Sequence, residues 1–467
     1  MVYPPRKSPE KIVSSDDAAS LSADEPIPLV IVEGFLGGAL GAALWGSFED
    51  HLNAGRSLNG RKRRRSIFPS VGPVSSLHDR ACELYYCLVG GTVDYGEKHS
   101  RNHKHNRYGR VHAKGLFPQW SREYPLHFLG HSVGGPTIIK LQTLLKNGHF
   151  GPNAHPDMVL SVTSISAPFR GTQVVYTLGE RPDAPPAVRP WSVGATISKG
   201  VHILAYLAPL LPRFLDVHAD ARALAYTDAS FWSLVQQIRK SDWAEERDAT
   251  PFDVTFQAAD EREAAGEGEV HPRTFYRSYT SSLSSRSVEV GSTSRLASAV
   301  SSLRNFISPL RRLSRDMESF DFRTLHPPPS FLDPSFCSSD SGKDSSTPTS
   351  RSNRDDPASS EHRINDGVVP LFSQWHPLPC SATRCRHTES QSSVPEVDLL
   401  GKWEPKISPP KPMPGIWEVH SIGSDTHHFS VVPFWLSTSR QKGFWNSVGK
   451  WLDAIDVPLD SNHIVHG

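Results

Sequence analysis

Apolar residues in this chain gather in short runs separated by glycine and polar turns. PIPLVIVE at 26–33 is brief, apolar and rich in branched side chains, which predicts a buried strand. Gly34, Gly37, Gly38 and Gly41 follow, then a helical pattern near 43–54. The spacing predicts a helix over 77–89, a second buried strand at 125–130 (PLHFLG), a helix over about 133–147 and a third strand at 158–166 (MVLSVTSIS). Strands alternating with helices predict an α/β fold with a mostly parallel central sheet covered on both faces.

Two stretches depart from this pattern. Residues 201–215 (VHILAYLAPLLPRFL) read as a proline-broken apolar helix, either in the core or covering a site. Between 281 and 360 there are 24 serines, too polar a composition to order itself fully. Within it, about 293–313 carries apolar residues at near-helical spacing, an amphipathic helix candidate. A second insert, rich in Pro and Ser, runs over about 376–411. The expected organisation is a flexible tail at 1–25, a first core part at 26–281, a Ser-rich insert at 282–361, a second core part at 362–452 interrupted by 376–411, and a tail at 453–467.

Composition agrees with a globular domain diluted by inserts. The chain has 467 residues and 37% hydrophobic residues, and removing 1–25, 282–361 and 376–411 leaves 326. Charge is balanced, with 50 Lys and Arg against 49 Asp and Glu, so nothing steers the whole chain toward nucleic acid. The run Arg61–Arg65 reads as a solvated loop rather than an anion patch. No secretory signal pattern is visible at the N-terminus, so the expected location is cytoplasmic or undefined. Pro28–Phe48 is apolar but holds Glu33 and several glycines, and reads as strand, loop and helix rather than a transmembrane segment. Five cysteines without an export signal argue against a disulfide framework. His376, Cys380, Cys385 and His387 resemble a loose metal cluster, but the spacing is unspecific and the preferred reading is an unbound loop.

The chemistry centres on GHSVGG, a Gly-x-Ser-x-Gly motif formed by Gly130, Ser132 and Gly134. An apolar strand precedes it and a helix follows, the setting of a nucleophile elbow. Such a turn presents the Ser132 hydroxyl above the sheet, and the Val133 N–H at the helix start can hold a developing oxyanion. The serine needs a base, and in this fold an acid and a histidine follow in that order. Asp366, on an Asn-Asp-Gly turn, and either His427 or His428 fit that order. His99, His103 and His105 also cluster behind an upstream Asp, a donor set suited to zinc.

At these residues the chain resembles the lipases of the staphylococcal and Geobacillus type. Residues 71–109, with the core GGTVDYG, carry the most specific similarity, joined by GHSVGG, LSVTSISAP-x-x-GT at 160–172, the Asn365-Asp366-Gly367 turn and the His-Phe pair near the end. The resemblance implies an α/β-hydrolase fold, a helical lid at about 173–232 and hydrolysis of lipid esters. It implies Ser132 as nucleophile, Asp366 as acid and His428, which directly precedes Phe429, as base. It also implies an oxyanion hole from the N–H groups of Phe35 and Val133. A structural zinc ion held by Asp79, His99, His105 and Asp253 is implied as well.

Three departures qualify it. Glu33 stands where the family has His, and a carboxylate facing the pocket would repel an oxyanion. The acid of the family's calcium site is replaced by Ser430 and apolar residues, so no calcium is expected. The family is secreted, and no signal is seen here. The expected partners are a lipid ester and a transient lipid surface, for a monomer with no nucleic-acid role. The competing readings are a catalytically impaired binding or scaffold protein, motivated by Glu33 and the Ser-rich insert, and an acyltransferase or amidase using the same triad.

Overall fold

A computed structural model describes residues 25–37, 45–212, 216–241, 243–283, 309–332, 360–388, 411–423, 425–432 and 438–462, with side chains through 456 in the last segment. Residues 1–24 of the expected tail at 1–25, most of the Ser-rich insert and 389–410 lie outside the described residues.

Nine strands are described: β1 (Leu29–Val32), β2 (Ser66–Ile67), β3 (Gly91–Asp94), β4 (Tyr108–His112), β5 (Leu126–His131), β6 (Val159–Ile165), β7 (Phe275–Thr280), β8 (Cys385–Thr388) and β9 (Trp417–Ser421). Seven form one sheet in the order β2-β1-β5-β6-β7-β9-β8, with every neighbouring pair parallel. β3 and β4 form a separate antiparallel pair. Strands β1, β5 and β6 are buried along their whole length, as a parallel sheet covered on both faces requires.

The period-two alternation of β1 divides the core. Val30 and Val32 face the helices Leu77–Val89 and Gly134–Lys146 through Ala81, Leu84, Ile138 and Leu141. Leu29 and Ile31 face Trp45, Phe48 and the C-terminal helix Ser439–Asn462 through Trp445, Val448 and Leu452. Within Pro28–Phe48 the described residues form a strand at Leu29–Val32 and the start of a helix at Phe48, while 38–44 lie outside the described residues.

Three boundaries move from those expected. The C-terminal helix runs past 452, burying Ile455 and placing Asp453 and Asp456 beside Arg64 at 2.8 and 2.7 Å. Arg64 is therefore not solvated like the rest of its basic run. It is buried and ties β2's approach to the last helix, while Arg61 stays exposed. In the Ser-rich stretch, 309–332 is packed structure. A helix over 309–318 is followed by short turns, and Phe322, Leu325 and Phe331 pack on Tyr176, Phe256 and Phe372. Only three of the 24 serines fall in this segment, which explains how it escapes the composition of its surroundings. The amphipathic helix expected at 293–313 meets the described residues only from 309 onward. Finally, β8 lies inside the expected insert at 376–411 and forms the sheet's edge.

The described part of the apolar stretch at 201–215, residues 201–212, belongs to a cover. Helix Val193–Leu207 passes into a tight turn at Ala208–Leu210, where Pro209 stops it. Val201 and Ala205 pack inward on Trp243, while Trp191, Ile203 and Leu210 face solvent. Among the described residues, Val193–Leu210 is the one helical stretch long and apolar enough to cross a membrane. Here it roofs a cavity.

Candidate active site and metal centre

The carboxyl ends of β1, β5 and β6 meet where open α/β sheets place their ligand sites. Ser132 follows β5 and has φ 55°, in the left-handed region. A residue with a Cβ there costs about 1–2 kcal/mol, held in place by the surrounding turn. Its N–H donates to the Ile165 carbonyl at 2.9 Å, locking the elbow onto β6. The flanking glycines serve close approach rather than positive φ. A Cβ on Gly134 would lie 2.0 Å from the Val32 carbonyl oxygen, and one on Gly34 would lie 2.7 Å from Ser132 Cβ.

Asp366 is fully buried. Its Oδ1 accepts the N–H groups of Val368 and Val369 at 2.9 and 2.8 Å, and its Oδ2 takes His428 Nδ1–H at 2.9 Å. The His428 N–H also donates to the Asp366 carbonyl at 3.0 Å. His427 turns its Nδ1 to the Phe429 N–H instead, so the two histidines separate by geometry. His131 Nε2–H donates to the His428 carbonyl at 3.1 Å. Burial depresses the His131 pKa to about 3, which leaves it a neutral brace for the His428 backbone. Among the described residues no hydrogen bond joins Ser132 Oγ to His428.

The N–H groups of Phe35 and Val133 donate to no carbonyl among the described residues. Both residues line the same cavity as Ser132, of about 230 Å³. Its walls are mostly aliphatic, with Leu178, Val188, Ile197 and Trp243 from the cover side and Leu313, Val368 and Val369 opposite. Glu180 is the exception. It is buried, neither carboxyl oxygen has a hydrogen-bond partner, and burial raises its pKa well above the usual carboxylic range. Glu33 does not face this cavity. Its carboxylate accepts the Trp45 indole N–H at 3.0 Å, and its carbonyl accepts Arg80. The repulsion expected from a carboxylate before the oxyanion loop does not arise.

A second cluster lies below the cover. Ligand-type atoms of Asp79, His99, His105 and Asp248 all fall within 4.8 Å of one another. His99 Nε2 stands 3.2 Å from both Asp79 Oδ1 and Asp248 Oδ1. Its burial opposes a charge, but these two carboxylates raise its pKa to about 9 in the metal-free protein. Asp79 is pushed up by burial and then by Asp248. Asp248 is held below its usual value despite burial, through His99 and Arg222. His105 decides the chemistry. Its Nδ1–H donates to the Asn106 carbonyl at 2.8 Å, which leaves a lone pair on Nε2. That nitrogen is buried, faces Asp248 Oδ2 at 3.5 Å and has no hydrogen-bond partner. A lone pair aimed at carboxylates needs a cation between them. The backbone carbonyl behind Nδ1 is the usual support of a metal-bound imidazole.

The chain is similar to known lipases. A family model described as "Lipase-like, C-terminal domain" matches residues 25–184. The lipase of Staphylococcus hyicus is 30% identical over 275 residues, covering 54% of this chain and 40% of that protein. Lipase 1 of Staphylococcus aureus is 34% identical over 167 residues, covering 31% of this chain and 24% of that one. Over these matched stretches the chain is similar to the staphylococcal lipases. It spans well under half the length of these curated relatives. In fold, the crystal structure of Staphylococcus hyicus lipase superposes with a TM-score of 0.59 at 20% identity, covering 96% of this chain and 100% of that one. EstA from Clostridium botulinum gives a TM-score of 0.54 at 24% identity, covering 98% and 92%.

Against the ligand set implied by resemblance to those lipases, one residue changes. Asp253 is not in the cluster, and Asp248 takes its place. Asp253 Oδ2 instead accepts the Leu77 N–H at 2.6 Å, capping the helix that carries Asp79. Its burial raises its pKa to about 6. Both acids lie in DATPFD at 248–253, and only the folded path of that turn separates their tasks. His103 stays outside the cluster, 4.6 Å ring to ring from His99.

Proposed function

We propose that this lipase relative is a serine carboxylic-ester hydrolase acting on lipid esters. The reading is carried by one juxtaposition. Ser132 sits on a strained turn at the floor of an apolar cavity, with the Asp366–His428 pair at the same sheet edge.

In this reading His428 takes the Ser132 proton as Oγ attacks the ester carbonyl. Asp366 holds the imidazole with Nδ1–H toward itself, so Nε2 is left to act as base, and it stabilises the imidazolium that forms. The oxyanion accepts from Phe35 and Val133 N–H, each contributing about 3 kcal/mol to the transition state. The imidazolium returns its proton to the departing alcohol. Water, deprotonated by His428, then releases the acid and restores Ser132. The aliphatic walls suit an acyl chain, and the solvent-facing apolar side chains of the cover suit contact with a lipid surface.

We also place zinc at Asp79, His99, His105 and Asp248. Four protein donors would close its coordination shell, so it would act structurally, joining three distant parts of the chain. Glu33 turned toward Trp45 takes away the main motive for an impaired hydrolase.

Assays with esters of graded acyl length test the reading. Hydrolysis by the parent protein that vanishes in Ser132→Ala supports it, and equal turnover in both contradicts it. Adding competing alcohols separates hydrolysis from acyl transfer through the product formed.

A further inference from the structure

A second set of metal-type side chains follows the acid loop in sequence and differs from the Asp79–Asp248 cluster in chemistry. His376, Cys380, Cys385 and His387 are spaced loosely along the chain, but their ligand atoms all come within 4.8 Å of one another. Cys380 Sγ stands 3.5 Å from both His376 Nε2 and His387 Nε2. Cys380 and Cys385 are thiols. A turn at 379–382, closed by the Ala382 N–H to the Pro379 carbonyl at 2.9 Å, folds the first cysteine back toward the second.

The histidines are prepared as ligands. His376 donates Nδ1–H to the Leu378 carbonyl at 2.6 Å, which fixes its tautomer and turns the Nε2 lone pair to the cluster. Its ring is buried against Trp417, and His387 stands edge-on to Trp375 at 4.9 Å. Cys380 and His387 are exposed, so an ion has a way in. Two sulfur and two imidazole donors make a set that favours zinc over hard cations.

We propose that His376, Cys380, Cys385 and His387 bind a structural zinc ion that fastens β8 to the segment following the acid loop. β8 is a four-residue strand at the sheet's edge, paired to β9. The segment it would be tied to runs through Gln374 and Trp375. The Gln374 side chain bridges the Ser281 and Val369 carbonyls, and the Trp375 carbonyl accepts Ser278 Oγ from β7. The site stands apart from the Asp79–Asp248 cluster in donor chemistry, and the two share no residue.

Metal analysis of the purified full chain tests this. The Cys380→Ser/Cys385→Ser variant should hold one equivalent of zinc fewer than the parent. Protein loaded with Co²⁺ should show a sulfur-to-cobalt charge-transfer band in the near ultraviolet. The band should persist in Asp79→Ala and be absent from the double cysteine variant. If that variant does not fold, a mercurial thiol reagent added to the parent should release one equivalent of zinc as the two thiols react. Unchanged zinc in the double variant, no charge-transfer band in cobalt-loaded parent, no release by the mercurial, or a Cys380–Cys385 disulfide in the purified protein would each overturn the proposal.

Discussion

The pocket around Ser132 and the corner around His105 use similar side chains to opposite ends. Each brings buried carboxylates to imidazoles. In the pocket, Asp366 spends its oxygens on two backbone N–H groups and one His428 N–H, so its carboxylate is already satisfied by protein. In the corner, His105 Nε2 is left bare before two carboxylates. The first arrangement needs no ion to pair its carboxylate, and in the proposed reading its groups transfer a proton. The second leaves a donor atom open for a cation, which in that reading would hold the fold. The difference lies in which atom lacks a partner, not in which residue types are present.

That contrast predicts that damage to the pocket removes activity but not stability, and damage to the corner does the reverse. The largest effect should come from Ser132→Ala. Ester turnover should fall about 10⁴- to 10⁶-fold with an unchanged unfolding curve. Next is Asp248→Ala, which should lose the corner's metal and cost about 3–5 kcal/mol, as removal of one partner from a buried charge cluster does. Denaturant unfolding with metal analysis would check it. The same analysis should find Asp253→Asn with its metal retained and only about 1 kcal/mol lost from the helix cap. If Asp253→Asn loses metal and Asp248→Ala keeps it, the ligand assignment is wrong.

Glu180 refines the contrast, since its buried carboxyl oxygens stand in the pocket wall with no hydrogen-bond partner among the described residues. Burial raises its folded pKa, so as pH rises the unfolded chain gives up this proton first. Its stabilising contribution is full below the unfolded value of about 4.3. It is lost as pH rises toward the folded value, with a slope of at most about 1.4 kcal/mol per pH unit. Glu180→Gln should flatten that dependence in urea titrations from pH 4 to pH 8. An unchanged slope in the variant would mean that Glu180 finds a partner in solution.

Much of the pocket was legible in the sequence because its signals are local. The Gly-x-Ser-x-Gly turn between an apolar strand and a helix, and the Asn-Asp-Gly turn before Val368, each carry their geometry in adjacent residues. The parallel sheet was legible for the same reason, through unbroken apolar runs such as LVIV. What was not legible depends on contacts between distant segments. His427 and His428 are equivalent until Asp366 approaches one of them. Asp248 and Asp253 are equivalent until one meets a helix N-terminus. The segment at 309–318 hid inside a serine-rich average, yet the Ser314 carbonyl accepts from Asn365 beside the acid at 3.2 Å, and Leu313 lines the cavity. The His376–His387 set looked unspecific because its spacing in sequence says nothing of the turn that closes it.

The central claim is that Ser132 is an activated nucleophile, and covalent labelling with a fluorophosphonate addresses it most directly. The account predicts an adduct on the peptide carrying Ser132 of the folded parent, and none in Ser132→Ala. A folded parent that takes no label, or takes it on a different residue, would contradict it.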